Sequence, residues 1–166
     1  MTATATITPT LDLRQADNSR LTFRRPMLGM NAAKAVTGFN EDEILAEIFS
    51  GKIKWAFNLA AADTERQFVI ILTRSLVCFC EPTLTQPETL EGVANAVLPQ
   101  QSLVTGNLRG TDLQKAFNVT SEHVLNLIRS GRVTESRKSA THQGRNGSPT
   151  ITRASVVNFM KTRRLL

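Results

Sequence analysis

The pattern of apolar positions over residues 28–81 recurs over residues 108–161, at a constant offset of 80 positions and without a gap. Most of the matching positions are apolar and are spaced as on one face of a helix, and a shared Ser-Gly pair has the form of a helix end. Ten positions carry the same residue in both stretches: Leu28, Leu45, Ile48, Ser50, Gly51, Ala60, Ile71, Ser75, Val77 and Phe79 with their counterparts. We therefore predict that one small fold is used twice, as a first copy (28–81) and a second copy (108–161).

Local signals in the second copy predict helix, turn, helix, hairpin and helix. Ser121 has the side chain of a helix N-cap, and Gly131 suits the left-handed residue that follows a helix C-terminus. Asn146-Gly147 is a strong signal for a turn between two β-strands. The elements expected are a helix at 112–117 capped by Thr111, a turn at 118–120, a recognition helix at 121–130, a hairpin wing at 134–151 and a helix at 154–163.

The first copy repeats this plan, with helices at 31–36 and 41–50, strands near 53–59 and 67–72, and a helix from Arg74. This order of elements is that of a winged helix, a variant of the helix-turn-helix motif. We therefore predict an α+β fold, mainly helical, of two tandem winged helix-turn-helix domains joined by a linker. The boundaries expected are a flexible N-terminal arm at 1–26, a degenerate winged-helix domain at 27–81, a linker at 82–107 with a short helix near 90–98, and a DNA-binding winged-helix domain at 108–166.

Two stretches of the second copy, 113–133 and 151–159, resemble the excisionase-type winged helices of the MerR-like group. The first contains Phe-Asn-Val-Thr-Ser and Ile-Arg-Ser-Gly-Arg-Val, and the second reads Ile-Thr-Arg-Ala-Ser-Val-Val-Asn-Phe. The resemblance implies a winged-helix fold and binding to DNA. The group includes excisionases of phages and integrative elements, transcriptional regulators, and plasmid partition or replication proteins. The chain departs from it in a longer wing turn, at 141–148, and in the duplication itself.

The composition narrows the classes of function. A net charge of +6 indicates an anionic partner. The longest apolar run, at 68–72, is far shorter than the ~20 residues of a membrane span, and no signal-peptide pattern is seen, so we expect a cytoplasmic protein without membrane contact. Cys78 and Cys80 are expected to be buried free thiols, and with two distant histidines we expect no metal site. No catalytic or cofactor motif is recognisable, so we expect neither an enzyme nor a cofactor.

Charge differs strongly between the two halves of the chain. Residues 108–166 hold eleven Lys or Arg and three Asp or Glu, whereas residues 28–81 hold five and seven. A basic surface on a winged helix is expected of a protein that binds duplex DNA, through phosphates and, by Asn or Arg, through base edges. The predicted DNA contacts are Ser121, His123, Asn126, Arg129 and Arg132 around the recognition helix, and Arg137, Lys138, Arg145 and Arg153 in and after the wing.

The first copy has carboxylates at 41–43, where the second has candidate DNA contacts, and we do not expect it to bind DNA in the same way. Its hairpin is rich in apolar residues, and surplus apolar surface often meets a partner. We predict an interface at Phe49, Trp55 and Phe57, which would serve self-association or a protein partner through residues 27–98. The alternative is that this surface packs against the second copy or against the short helix of the linker.

The leading hypothesis is a sequence-specific protein that binds double-stranded DNA as an oligomer. It would be a transcriptional regulator, or an excision or partition factor of a mobile element. A second hypothesis is a protein-interaction module, such as an anti-activator, adaptor or antitoxin-like protein, whose basic surface meets an acidic partner. RNA binding is a third hypothesis, weakened by the absence of tyrosine and of an aromatic stacking platform.

Overall fold

The computed structural model describes residues 25–60, 67–136 and 149–166. In these ranges the chain forms helices and small antiparallel sheets, so the α+β class is confirmed. The helices are α1 (Met30–Thr37), α2 (Glu41–Phe49), α3 (Thr73–Cys80), α4 (Leu90–Val97), α5 (Gln101–Thr105), α6 (Gly110–Phe117), α7 (Ser121–Arg129) and α8 (Arg153–Arg163). The strands are β1 (Met27–Gly29), β2 (Ala56–Asn58), β3 (Val69–Leu72), β4 (Asn107–Arg109) and β5 (Thr150–Thr152).

The same order of elements occurs in both copies, at the offset found in the sequence. β1, α1 and α2 begin and end 80 residues before β4, α6 and α7, respectively. Both α2 and α7 are followed by a glycine in the left-handed conformation, with φ 79° at Gly51 and 68° at Gly131. Glycine adopts this conformation without steric cost, which is why a helix ends at each of these positions. A shared backbone path therefore accompanies the shared apolar pattern.

The N-terminal caps of α6 and α7 lie before the predicted ones. Thr120, not Ser121, is the N-cap of α7, and its Oγ1 accepts a hydrogen bond from the backbone N–H of His123 at 3.2 Å. Adjacent hydroxyls at 120 and 121 satisfy the sequence signal equally, so the signal alone does not choose between them. Helix α6 begins at Gly110, and Thr111 therefore lies inside the helix instead of capping it.

Each copy contains a strand that the sequence pattern did not reveal. In the first sheet β3 pairs antiparallel with both β1 and β2, and all four of its residues are buried. In the second sheet β5 pairs antiparallel with β4. β1 and β4 have three residues each, too few to display the alternation by which a strand is recognised. The two ends of the predicted hairpin at 134–151 meet, since Glu135 forms a bridge with Ile151.

The linker forms two helices where one was predicted. Helix α4 lies within the predicted range 90–98 and buries Val93, Ala94 and Val97. Helix α5 was not predicted; it has five residues, which is less than two turns and gives no readable period. Both helices place the linker against the folded chain, and α4 also contributes to the core.

The larger of two buried clusters runs through both copies and the linker. It contains Met27 at the start of β1, Trp55, Phe57, Leu59, Ile70 and Leu72 of the first copy, Val93, Ala94, Val97 and Leu98 of the linker, and Leu108, Leu113, Phe117, Val124, Leu127, Val156 and Phe159 of the second copy. The smaller cluster lies within the first copy and includes Ile44, Ile48, Ile71 and Leu76. Trp55 and Phe57 are each 1% exposed. The prediction that they form an interface with a partner is therefore wrong. Other parts of the same chain cover both side chains, as the alternative interpretation stated.

Trp55 joins three parts of the chain. Its indole Nε1 donates to the carbonyl oxygen of Pro87 in the linker at 2.7 Å. The guanidinium of Arg164, which follows α8, lies 4.0 Å from the centre of the indole ring in a cation–π contact. Arg164 also forms an antiparallel bridge with Phe57 at the edge of β2. The C-terminal segment that follows the second copy is thereby fastened to the sheet of the first.

Candidate nucleic-acid interface

Helix α7 exposes to solvent one face that carries polar, charged and apolar side chains. Val124 and Leu127 are buried on its inner side. The exposed side chains are Ser121, Glu122, Leu125, Asn126 and Arg129. With 3.6 residues per turn, residues at this spacing fall on the same side of a helix. Three of the predicted DNA contacts, Ser121, Asn126 and Arg129, are therefore brought together on the exposed face of α7.

Leu125 belongs to this exposed face, although an apolar residue at this position in both copies, Leu45 and Leu125, favours burial. Its side chain is 38% exposed, and it lies one turn from both Ser121 and Arg129. Leu125 therefore adds an apolar contact point among hydrogen-bonding side chains. No pattern of residue types distinguishes a leucine on an exposed face from one in a core.

His123 lies at the side of α7 and packs against the first copy. It is half-buried, and its ring centre lies 5.4 Å from that of Phe68, with the two rings edge to face at 61°. Burial lowers the pKa of His123, and the positive charge of Arg132 lowers it further. The neutral ring is therefore favoured, and this predicted contact faces the junction between the copies.

Arg132 and Arg153 are held by partners within the chain. Arg132 donates from Nη1 to the carbonyl oxygen of Ala60 at 2.8 Å, which ties the segment after α7 to the first copy. Arg153 pairs with Glu91 at 2.7 Å and donates to Oδ1 of Asn95 at 2.7 Å, and its side chain is 12% exposed. Since Glu91 and Asn95 both lie on α4, Arg153 fastens the start of α8 to the linker. These two predicted contacts thus have structural partners.

The remaining predicted contacts, Arg137, Lys138 and Arg145, lie outside the described residues. The hairpin that carries them is described at its two ends. There the N–H of Ser136 donates to the carbonyl of Thr150 at 2.7 Å. The three basic residues stay predictions for the wing.

The corresponding face of α2 has the opposite charge. Its exposed side chains are Glu41, Asp42, Glu43, Ala46 and Phe49. Glu43 forms a capping box with Asn40, and acidic residues in general suit the positive end of a helix. Phe49 occupies the position of Arg129 and is 56% exposed. Of the three predicted interface residues, Phe49 is therefore the one that reaches the surface.

A groove of about 430 Å³ lies beside α6, lined by Arg25, Pro26, Gln114, Lys115 and Asn118. Arg25 and Lys115 are both exposed, and Arg25 donates from Nη1 to Oδ1 of Asn118 at 2.8 Å. Neither cation was among the predicted contacts. Arg25 falls in the predicted arm, 93 positions from Asn118, and no local sequence pattern reports a contact over such a separation.

Among the described residues no group of three His, Cys, Asp or Glu is arranged to hold a metal ion. Cys78 and Cys80 are free and buried, as predicted, and burial raises the pKa of both thiols. No helix within the described ranges has the length and apolar character needed to cross a membrane.

Comparison with family models, with curated proteins and with solved structures gives no match. A function is therefore inferred from the exposed face of α7, from the groove beside α6 and from the distribution of charge.

Proposed function

We propose that the chain binds double-stranded DNA with sequence preference, using α7 as the recognition helix in the major groove. The observation that carries this proposal is the exposed face of α7, on which Asn126 and Arg129 stand together with Ser121. Asn pairs with adenine and Arg with guanine through two hydrogen bonds each, and both patterns are read in the major groove. Leu125, on the same face, offers an apolar surface to a thymine methyl group.

The charge of the second copy and of the C-terminal residues that follow it supports contact with phosphates. Residues 108–166 hold eleven basic and three acidic side chains. Release of counterions from DNA by such a surface supplies much of the affinity of a duplex-binding protein. In this proposal α6 and α7 form a helix-turn-helix, residues 134–151 form its wing, and Arg137, Lys138 and Arg145 contact the DNA backbone. The full architecture is then two tandem winged helix-turn-helix domains, the first of them degenerate.

The first copy serves in this proposal as a support for α7. The carboxylates on α2 repel phosphate, so the first copy does not itself approach the duplex. Phe68 packs against His123, and Ala60 accepts a hydrogen bond from Arg132. These contacts fix the start of α7 and the segment that follows it, and a rigid recognition helix loses less entropy on binding.

Regulation, excision and partition all need a protein that recognises duplex sites. The resemblance of residues 113–133 and 151–159 to excisionase-type winged helices favours this set of roles. Assembly of several copies on neighbouring sites would use Phe49, which is exposed on the α2 face.

Fluorescence anisotropy with a random-sequence duplex, across a salt series, tests the proposal. We expect binding at about 50 mM salt, with log K falling by about 0.9 per phosphate neutralised as log salt concentration rises. Polyglutamate of matched charge serves as the control, since it represents the acidic protein of the alternative hypothesis. Absence of duplex binding at about 50 mM salt would rule the proposal out, and equal affinity for polyglutamate would favour the alternative.

A further inference from the structure

We infer that the groove beside α6 binds a phosphate of the DNA backbone, next to the bases that α7 contacts. This inference rests on the proposed function and adds to it a contact from a residue that precedes the first copy. The ligand is a phosphodiester oxygen. The donors are the guanidinium of Arg25, the ammonium of Lys115, and the amide groups of Gln114 and Asn118.

Arg25 is held at both its backbone and its side chain. Its carbonyl oxygen accepts from Oγ1 of the buried Thr73 at 2.6 Å, and the carbonyl of Pro26 accepts from the N–H of Thr73 at 3.0 Å. Its guanidinium donates to Asn118 at 2.8 Å. A guanidinium carries five N–H donors, so the bond to Asn118 leaves others for an anion. Arg25 is thus placed in advance of binding, which lowers the entropy lost when a ligand arrives.

The groove holds positive charge that the described chain does not compensate. Arg25 and Lys115 line the same groove, and the described residues that line it include no carboxylate. The salt bridges found among the described residues involve other cations, Lys52 and Arg153. Like charges in one groove repel each other, and an anion between them relieves the repulsion. Phosphate is the anion that arginine, lysine and amide groups most commonly contact in complexes with DNA.

The backbone conformation of Asn118 supports a function for the groove, which is then not merely the space beside a turn. Among the described residues Asn118 alone has a positive φ without being glycine, at 54°. Gly38 follows α1 at the corresponding position with φ 73°, and glycine is the least strained residue there. The second copy therefore keeps an amide side chain where glycine would fit more easily, and that amide holds Arg25. The first copy also has Ala35 in place of Lys115.

The groove lies near the N-terminal end of α7, where a contact with the DNA backbone is expected. Asn118 is in the turn between α6 and α7, two residues before the N-cap Thr120. When a helix-turn-helix docks, its first helix crosses the DNA backbone while the N-terminal residues of the second contact the bases. A phosphate in the groove would flank the bases near Ser121 and would set the register of α7.

Lys115→Gln and Arg25→Gln test the inference, with Lys52→Gln as the matched control. Each variant loses one positive charge, but Lys52 pairs with Glu47 of the first copy at 2.8 Å. We expect the Lys115 and Arg25 variants to bind every duplex about tenfold more weakly, and each to lower the salt slope by about 1. Lys52→Gln should bind as the wild type does. Asn118→Gly, which relieves the backbone but releases Arg25, should also weaken binding while circular dichroism shows an intact fold.

Neutral methylphosphonate groups placed one at a time along the duplex locate the contact. At one position the methylphosphonate should weaken binding by the wild type and have no effect on binding by the Lys115→Gln protein. If the wild type binds DNA and the Arg25→Gln and Lys115→Gln proteins have the same salt slope as the Lys52→Gln protein, the groove is not a phosphate site, although the proposed function stands. If the wild type binds no duplex, the proposed function itself fails. Calorimetric binding of inorganic phosphate that is lost in Lys115→Gln, with unchanged DNA slopes, would assign the groove to a free anion and overturn the inference.

Discussion

Replacing Arg129 by alanine is expected to reduce the preference for a selected duplex by about 1–3 kcal/mol, which corresponds to about 5- to 150-fold. Arg129 is exposed on the face of α7. In the proposed mode of binding it contacts a guanine, and both hydrogen bonds of that contact would be lost together. Asn126→Ala, on the same face, should have an effect of similar size at an adenine. The measurement is competition anisotropy between a duplex selected from a random pool and a scrambled duplex of equal length.

Lys161→Ala provides the control for this experiment. Lys161 is an exposed cation on α8, so its removal takes away one charge without touching the face of α7. It should shift the affinities for the selected and scrambled duplexes together and leave their ratio unchanged. If Arg129→Ala also lowers both affinities equally, Arg129 contacts phosphate and not a base, and the assignment of α7 as the recognition helix loses its main support.

Phe57→Ala is expected to lower the free energy of unfolding by about 3–5 kcal/mol. The Phe57 side chain is 1% exposed and stacks with Trp55, with ring centres 6.5 Å apart. Its removal leaves a cavity in the cluster that includes both copies and the linker. Urea unfolding followed by circular dichroism should show one transition in the wild type, and the same single transition at lower urea in the variant.

Phe49→Ala is the matched control, because it makes the same chemical change at a side chain that is 56% exposed. Its free energy of unfolding should lie within about 0.5 kcal/mol of the wild type. Two separate transitions in the wild type, or equal losses in the Phe49 and Phe57 variants, would contradict a core shared between the copies.

The helices of both copies were predictable because their signals are local. Gly51 and Gly131 end α2 and α7 through a backbone conformation that other residues adopt at a cost. The polar residues at the start of α7 predicted where the helix begins, and the predicted N-cap, Ser121, is one residue from the observed one, Thr120. Apolar spacing then separated the buried side of each helix from the exposed side, and from it the exposure of Asn126 could be foreseen.

The contacts between the copies could not be predicted, since they depend on residues far apart in the sequence. Arg132 reaches Ala60 across 72 positions. Composition correctly marked Trp55 and Phe57 as surplus apolar surface for one small unit. It could not tell whether their cover would come from another chain or from the chain's own linker and second copy.

His123 and Leu125 show the same limit within one helix. Residue type favoured His123 for the exposed face and Leu125 for the core. Their positions are set by what lies beside α7, because Phe68 of the first copy covers His123 and nothing among the described residues buries Leu125 to the same degree. A helical pattern specifies the centre of a buried face well, but its borders depend on the neighbouring elements.

Photo-crosslinking tests most directly the central claim that the second copy, and not the first, meets the duplex. Glu122 and Asp42 occupy the same position of α7 and α2, and both are exposed. Glu122→Cys and Asp42→Cys each remove one negative charge and admit a benzophenone label. Cys78 and Cys80 are buried and have raised pKa values, so the label should react with the introduced thiol. We expect strong crosslinking to a random duplex from the Glu122→Cys protein and little from the Asp42→Cys protein. Equal crosslinking from both, or stronger crosslinking from position 42, would contradict the claim.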